Sequence, residues 1–265
     1  MKKKLVFYFY ITRENVNSEV YRVHYACLEK YIGIFDEVLF VISVDDVNDF
    51  ELINSFEHRL TDIRKSGDIK FVIHQNDGFR ESWAFKKYVV DCIPEDKFVF
   101  FGHSKGITNV EKWDKNVLYN WIIGMYFYNF NFMNEVENDF IKWTTFAYGS
   151  FLFTGDWFET TRYKWFYSGA FFWLHSSKLY NYLKQHDIEI PKFADRLYAE
   201  NFLSNIVAFN RDGFMNLISS HNRMWFKDDS IEVFYTDPNF ISYYYPEHED
   251  FDEFKKEILE KAKTI

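Results

Sequence analysis

Leu5-Val6-Phe7-Tyr8-Phe9-Tyr10, closed by Ile11 and the polar run Thr12-Arg13-Glu14-Asn15, is the stretch on which the fold turns. It is an apolar run of strand length with no polar alternation, the pattern of a strand covered on both faces. Lys2 to Lys4 precede it as the basic start of a signal peptide would, but no small-residue cleavage site follows. The run therefore reads as a first buried strand reaching its loop, and the chain as cytoplasmic.

Outward from that strand the pattern alternates. Ser18–Phe35 has helical spacing, with Val20, Val23, Cys27, Leu28 and Tyr31 on one stripe. Glu37–Val44 is a second apolar run, rich in β-branched residues. Val47–Arg64 returns to helical spacing through Phe50, Ile53, Phe56 and Leu60. Ile69–His74 is a third strand, Ser82–Ile93 a third helix and Lys97–Gly102 a fourth strand. Strands separated by helices of this length imply parallel strands joined by right-handed crossovers.

The second half is less regular. Lys115–Phe132 can form a long aromatic helix, followed by the apolar segments Phe146–Phe153 and Trp165–Leu174. Ser177–Gln185 and Arg196–Phe209 read as helices. The tail from Phe226 is mixed through Tyr243–Tyr245 and ends in a charged amphipathic helix near Asp250–Lys263. There is no repeat and no low-complexity linker. The expectation is α/β: one domain over residues 1–225 with a central, mostly parallel sheet flanked by helices. Residues 226–265 are a C-terminal extension whose terminal helix packs on that domain.

Composition narrows the function. The net charge of −9 argues against wrapping DNA or RNA, which needs a basic face. No stretch approaches the roughly eighteen apolar residues of a membrane span. Cys27 and Cys92 fall in helical segments without metal-like or redox-like neighbours, as buried free thiols do. The aromatic share of 22% is high enough to fill the core and leave rings over. Most of it fits a base-composition bias, and a few spare rings suit a sugar or base platform.

In an open parallel sheet, ligands bind outside the carboxyl ends of the strands. Four loops qualify here: Thr12-Arg13-Glu14, Asp45-Asp46, Asn76-Asp77-Gly78-Phe79-Arg80-Glu81, and His103-Ser104-Lys105-Gly106. None matches the dinucleotide fingerprint or the phosphate loop of nucleoside triphosphatases. Asp45 and Asp77 can accept from ribose hydroxyls or a base N–H. Arg13, Arg80 and Lys105 can neutralise a diphosphate. Each of these residue types is also common in turns for conformational reasons alone.

The segment Asn76-x-Gly78-x-Arg80-Glu81, the strand end Gly102-His103-Ser104-Lys105-Gly106, the run Tyr167-Ser168-Gly169-Ala170-Phe171-Phe172-Trp173 and Arg196-Leu197-Tyr198-Ala199-Glu200 occur in this order. Together, over roughly residues 5–205, they resemble the polysaccharide glycosyltransferases of bacteria and large viruses, including the rhamnan-synthesis type. The resemblance implies a glycosyltransferase A-type (GT-A) fold and a hexosyl- or pentosyltransferase of polysaccharide biosynthesis, with a nucleotide-sugar donor and a saccharide acceptor. It implies an acidic residue on a late helix, here Glu200, with Asp195 in reserve, as the base of an inverting transfer. The competing assignment for Glu200 is an ion pair with Arg196 one turn away.

Donor contacts would then be Thr12, Arg13, Asp45, Asp77, Arg80, His103, Ser104 and Lys105. Acceptor or sugar contacts would be Ser168, Gly169 and Trp173, the last equally readable as core. Many GT-A enzymes place Asp-x-Asp at the end of the fourth strand, where a divalent cation such as Mn or Mg bridges enzyme and diphosphate. This chain has His103-Ser104-Lys105 there, so metal use stays open, with His103 and His221 as candidate ligands. A module of the same fold that binds a nucleotide or glycan without chemistry is the alternative.

Overall fold

The computed structural model describes residues 1–63, 68–93, 95–104, 106–107, 114–141, 144–150, 152–154, 165–167, 170–193, 197–207, 218–219, 223–225 and 248–265, with backbone alone at 152–154, 165–166, 218–219 and 223–225. Strand β1 (Lys3–Ile11) lies inside a seven-stranded sheet. Strands β2 (Glu37–Val44) and β3 (Ile69–Gln75) extend it on one side, and β4 (Phe98–His103) lies on the other. All of these pairings are parallel: β1 to β2 from Lys4↔Glu37 to Ile11↔Val44, β1 to β4 from Lys3↔Phe98 to Tyr8↔His103, and β2 to β3. The alternation in the first hundred residues therefore becomes the crossover topology that it implied.

Beyond β4 the direction reverses. Strands β5 (Ala147–Gly149), β6 (Leu152–Thr154), β7 (Trp165–Tyr167), β8 (Phe172–His175), β9 (Ile218–Ser219) and β10 (Arg223–Trp225) are all short. β8 pairs antiparallel with β4 and β5, and β9 runs parallel to β5, giving the order β3-β2-β1-β4-β8-β5-β9. A second sheet has the order β10-β6-β7.

Two helical layers explain why β1 carries no polar alternation. Leu5, Phe7, Phe9 and Ile11 face α1 (Glu19–Tyr31), α2 (Phe50–Asp62), α4 (Lys115–Phe130) and α8 (Phe251–Ala262). Val6 and Tyr8 face α3 (Glu81–Tyr88), α6 (Ser176–Gln185) and α7 (Tyr198–Ile206). A fifth helix in chain order, α5 (Met133–Ile141), adds Val136 and Phe140 to the first layer. Packing there is ring against ring. Phe9 meets Phe56 at 5.1 Å and Phe40 at 5.6 Å between centroids. Removing a buried ring such as Phe56 would cost about 3–5 kcal/mol through lost transfer energy and the cavity left behind.

Helix starts follow capping chemistry. The Ser18 side chain accepts from Tyr21 N, Asp49 from Leu52 N, and Asp114 from Asn116 N and Val117 N. α8 packs on α1 and α4 and buries Phe251, Phe254 and Ile258. Among the described residues, no helix is long and apolar enough to cross a membrane.

Several expectations need correction. Phe50, counted in the α2 stripe, is the helix's first residue and is 64% exposed, because the buried stripe begins at Leu52. The third helix ends at Tyr88, and a separate 3-10 turn, Val90–Cys92, carries Cys92. Trp173 is not a sugar platform. It is wholly buried, its ring stacks on Phe35 at 5.4 Å, and its Nε1 donates to the Asn129 carbonyl.

Candidate active site

The parallel strands β1–β3 end side by side, so side chains of matched parity form rungs across the sheet. Tyr10 is in register with Ser43, and Ser43 with His74. Tyr8 and Tyr10 both reach two residues up the neighbouring strand. Tyr10 Oη donates to Asp45, 2.9 Å from Oδ2 and 3.1 Å from Oδ1. Tyr8 reaches the Ser43 hydroxyl, which pulls its pKa down, but burial dominates and pushes it well up, so the phenol stays protonated. Asn76 Nδ2, just past β3, donates to Asp45 Oδ1 at 3.1 Å. Asp45 is thereby fixed in place with lone pairs to spare.

Tyr8 Oη and Ser43 Oγ are buried in this patch with no well-formed hydrogen bond beyond their approach to each other. Leaving such a group poorly satisfied costs about 1–3 kcal/mol. On α4, Asn120 Oδ1 and Asn129 Oδ1 are also buried without a hydrogen bond. The His74 ring stacks on Trp83 at 3.7 Å and 5° between planes, and its Nε2 lies 3.4 Å from Asp77 Oδ2. Burial lowers the His74 pKa, partly offset by Asp77.

The loop after β3 is shaped by its own side chains. Asn76 Oδ1 accepts from Gly78 N at 3.3 Å, and Asp77 Oδ1 accepts from Phe79 N at 2.9 Å. Gly78 has φ +82° and Arg80 φ 54°, ψ −134°. Glycine accepts that backbone freely, whereas an arginine held there costs about 1–3 kcal/mol. Arg80 also heads α3, which has no side-chain cap, and within the first turn Ser82 N donates to the Phe79 carbonyl at 3.2 Å. The charge of Arg80 lowers the pKa values of Tyr8 and Tyr10, while Asp77 and Glu81 raise that of Tyr8.

A single hydrogen bond brings in the late helix: Ala199 N donates to the buried Ser82 Oγ at 3.0 Å. The first turns of α3 and α7 therefore meet, and Glu200, half-buried in α7's first turn, stands at the same edge as the β3–α3 loop. Residues 117 apart in sequence are joined there.

The remaining candidates divide. Thr12 and Asn15 bond each other reciprocally, closing the turn after β1, and the Thr12 hydroxyl holds the Glu14 carboxyl below its usual pKa. Arg13 is engaged elsewhere, with Nε and Nη2 donating to Asp49 at 2.9 and 2.7 Å and Nη1 and Nη2 reaching Glu51. Ser104 is buried, receives Tyr10 N on its Oγ at 3.4 Å and donates its own N–H to the Tyr8 carbonyl at 2.9 Å, so it braces β4 against β1. His103 is buried at the end of β4, its ring 6.1 Å from Phe171. Gly106 has φ +87°, a backbone that favours glycine, and an added Cβ would also press on the end of the Leu118 side chain at 2.5 Å. Lys105, Ser168, Gly169, Asp195 and His221 lie outside the described residues, as does Arg196.

A divalent cation would want carboxylates at the end of β4, where the described residues offer His103 and Ser104. Among the described residues no group of three or more His, Cys, Asp or Glu side chains is arranged to hold a metal ion.

The residues that sequence reasoning missed are Tyr8, Ser43 and His74, which sit inside strands rather than in loops. Their signal was a polar atom at matched parity in consecutive, otherwise apolar strands. Compared with known proteins, the sequence matches no family model and no curated protein.

Proposed function

We propose that the protein transfers a glycosyl group from a nucleotide-sugar donor to a saccharide acceptor. The observation that supports this reading is the Ser82–Ala199 hydrogen bond, which joins the helix that carries Glu200 to the start of α3, next to the polar strand ends of β2 and β3. A binding surface alone has no need of a carboxylate there, whereas transfer needs a base next to a donor site.

In this mechanism Tyr8, Ser43 and Asp45 hold the uncharged nucleoside part of the donor. Arg80 and the amide-bearing first turn of α3 face its diphosphate, and Lys105 adds a point charge from the end of β4. Glu200 takes the proton of the acceptor hydroxyl as that oxygen attacks the anomeric carbon. The bond from the anomeric carbon to the diphosphate oxygen breaks in the same displacement, and the electron pair leaves with the nucleoside diphosphate. One base and one direct displacement invert the anomeric centre.

The test is calorimetric titration with uridine, guanosine, cytidine and thymidine diphosphates, each with and without manganese, followed by turnover assays with the nucleotide sugars of whichever binds. Binding of one base with turnover supports transfer, and binding without turnover on any acceptor supports a non-catalytic module. Failure of all four to bind or to raise the melting temperature rules the reading out.

A further inference from the structure

Seven large hydrophobic side chains among the described residues are exposed, and three of them, Phe79, Ile190 and Leu197, belong to the two segments that meet beside Glu200. The others, Met1, Phe50, Ile141 and Ile265, are dispersed along the chain. Phe79 is 38% exposed and its ring lies 4.9 Å from that of Phe193, tilted by 51°. Phe193 is braced from behind by Tyr198 at 5.3 Å, and Tyr198 Oη donates to the Pro191 carbonyl at 2.7 Å. Two rings from segments 114 residues apart thus form one supported surface. It adjoins Arg80 on one side and the first turn of α7 on the other.

We propose that the Phe79–Phe193 surface seats the acceptor, and that the acceptor presents to it the C–H face of an uncharged pyranose. The proposal rests on the transferase reading, and names the acceptor class for it. Apolar patches rimmed by polar groups mark interaction sites. The rim here is of mixed sign, with Asp77 and Arg80 on the loop and Glu189, Lys192 and Glu200 on the approach to α7. Such a rim can both donate to and accept from sugar hydroxyls around an aromatic floor. It suits a charged sugar poorly. A chain of net charge −9 is likewise repelled by an anionic lipid surface, the other common occupant of an exposed apolar patch. The position also fits the chemistry. Phe193 packs on Tyr198, the first residue of the helix that carries Glu200, so an acceptor on this surface lies against the start of α7 and leaves the polar strand ends for the donor.

The experiment measures saturation-transfer NMR of malto-, cello- and chito-hexaose, and calorimetric affinity for nucleoside diphosphates, on wild type, Phe79→Ala, Phe193→Ala and Phe79→Tyr. Melting temperatures confirm folding, and the exposed Phe79 is the variant least able to disturb it. The expected result is saturation of sugar C–H protons by the wild type and by Phe79→Tyr. Affinity for the same sugar should fall about tenfold in Phe79→Ala, with nucleoside diphosphate affinity unchanged. Undiminished sugar binding in Phe79→Ala overturns the proposal. So does a parallel fall in nucleoside diphosphate affinity, which would put the ring in the donor pocket. Nucleotide binding by a wild type that saturates none of the three sugars overturns the acceptor seat alone. Sugar binding without any nucleotide binding overturns the transferase reading and keeps the platform as a glycan-binding surface.

Discussion

The same four parallel strands end in two very different edges. At their amino ends Lys97 bridges Glu37 at 3.0 Å and Glu95 at 2.8 Å, Lys3 bridges Glu137 at 2.6 Å, and Asp36 accepts from Lys3 N at 2.7 Å. An open depression of about 500 Å3 lies there, lined by Lys4, Asp36, Glu37, Asp68 and Lys70 over Val38 and Leu39. At the carboxyl ends Arg13 bridges Asp49 and Glu51, but there are also buried hydroxyls with poor hydrogen bonding at Tyr8 and Ser43, an arginine in a backbone conformation suited to glycine, and two helix starts in contact. A depression dense in charge is thus the less informative edge, because its charges cancel at the surface, where each pair contributes about 0–1 kcal/mol. Unsatisfied and strained groups are costly and persist only where something offsets them.

That contrast is open to direct attack. The largest effect expected is at Glu200: Glu200→Gln should cut turnover by about 10²–10⁴-fold while melting temperature and donor affinity hold. Near-normal turnover with lowered stability would show a salt-bridge residue and erase the distinction between the edges. Next is the strained arginine. Arg80→Gly should raise the stability of the ligand-free protein by about 1–3 kcal/mol in urea titration, relieving the positive φ, and weaken nucleoside diphosphate binding. A variant that loses stability would mean that the backbone there stores no strain.

Tyr8→Phe deletes a buried hydroxyl without a well-formed hydrogen bond, so unfolding free energy should hold or rise by up to about 1 kcal/mol while ligand affinity falls. The same change at Tyr126, whose hydroxyl bonds His24 at 2.9 Å, should instead destabilise by about 0.5–1.5 kcal/mol. Equal behaviour of the two tyrosines would remove the ground for treating the first as a ligand contact.

A smaller effect concerns pH. Burial holds the His74 pKa below its unfolded value, against the pull of Asp77 and with the help of Lys87. The fold therefore favours the neutral ring. That contribution is fully present above the unfolded pKa near 6.5, and is lost as pH falls through that value toward the folded pKa. Urea midpoints measured from pH 7.5 to 5.5 should fall, and His74→Gln should flatten the slope. The residual slope belongs to His175, whose pKa burial pushes down to about 4. Smallest of all, Lys70→Ala at the amino edge should change stability by no more than about 0.5 kcal/mol and activity not at all.

Legibility followed burial. The strands β1–β4 and helices α1–α3 could be read because each strand is an unbroken apolar run and each helix keeps one stripe toward the sheet. The reversal at β8 could not, since Phe172-Trp173-Leu174 is buried whichever way it runs, and strands of three or four residues carry too little pattern to fix direction. For the site, the loop residues Asp45, Asp77 and Arg80 stand where the strand-end rule put them. Arg13 and Ser104 have the right types and places but are engaged by Asp49, Glu51 and Tyr10. Tyr8, Ser43 and His74 were hidden because a hydroxyl or an imidazole inside an apolar strand looks like core until the register aligns it with its neighbours. Trp173 shows the converse, a ring whose type suits a sugar and whose position is interior.

The seat of α8 bears on how the chain is made. Phe251 and Phe254 pack on Phe127, and Phe254 also packs on Tyr31, filling a groove between α1 and α4. In vectorial synthesis α8 emerges from the ribosome after every other described element. The nascent protein therefore passes through a stage in which the sheet and its first helical layer can assemble while this aromatic groove stands open to water. Such a species is prone to association, so the seating of α8 bears on how much of the protein survives its own biosynthesis.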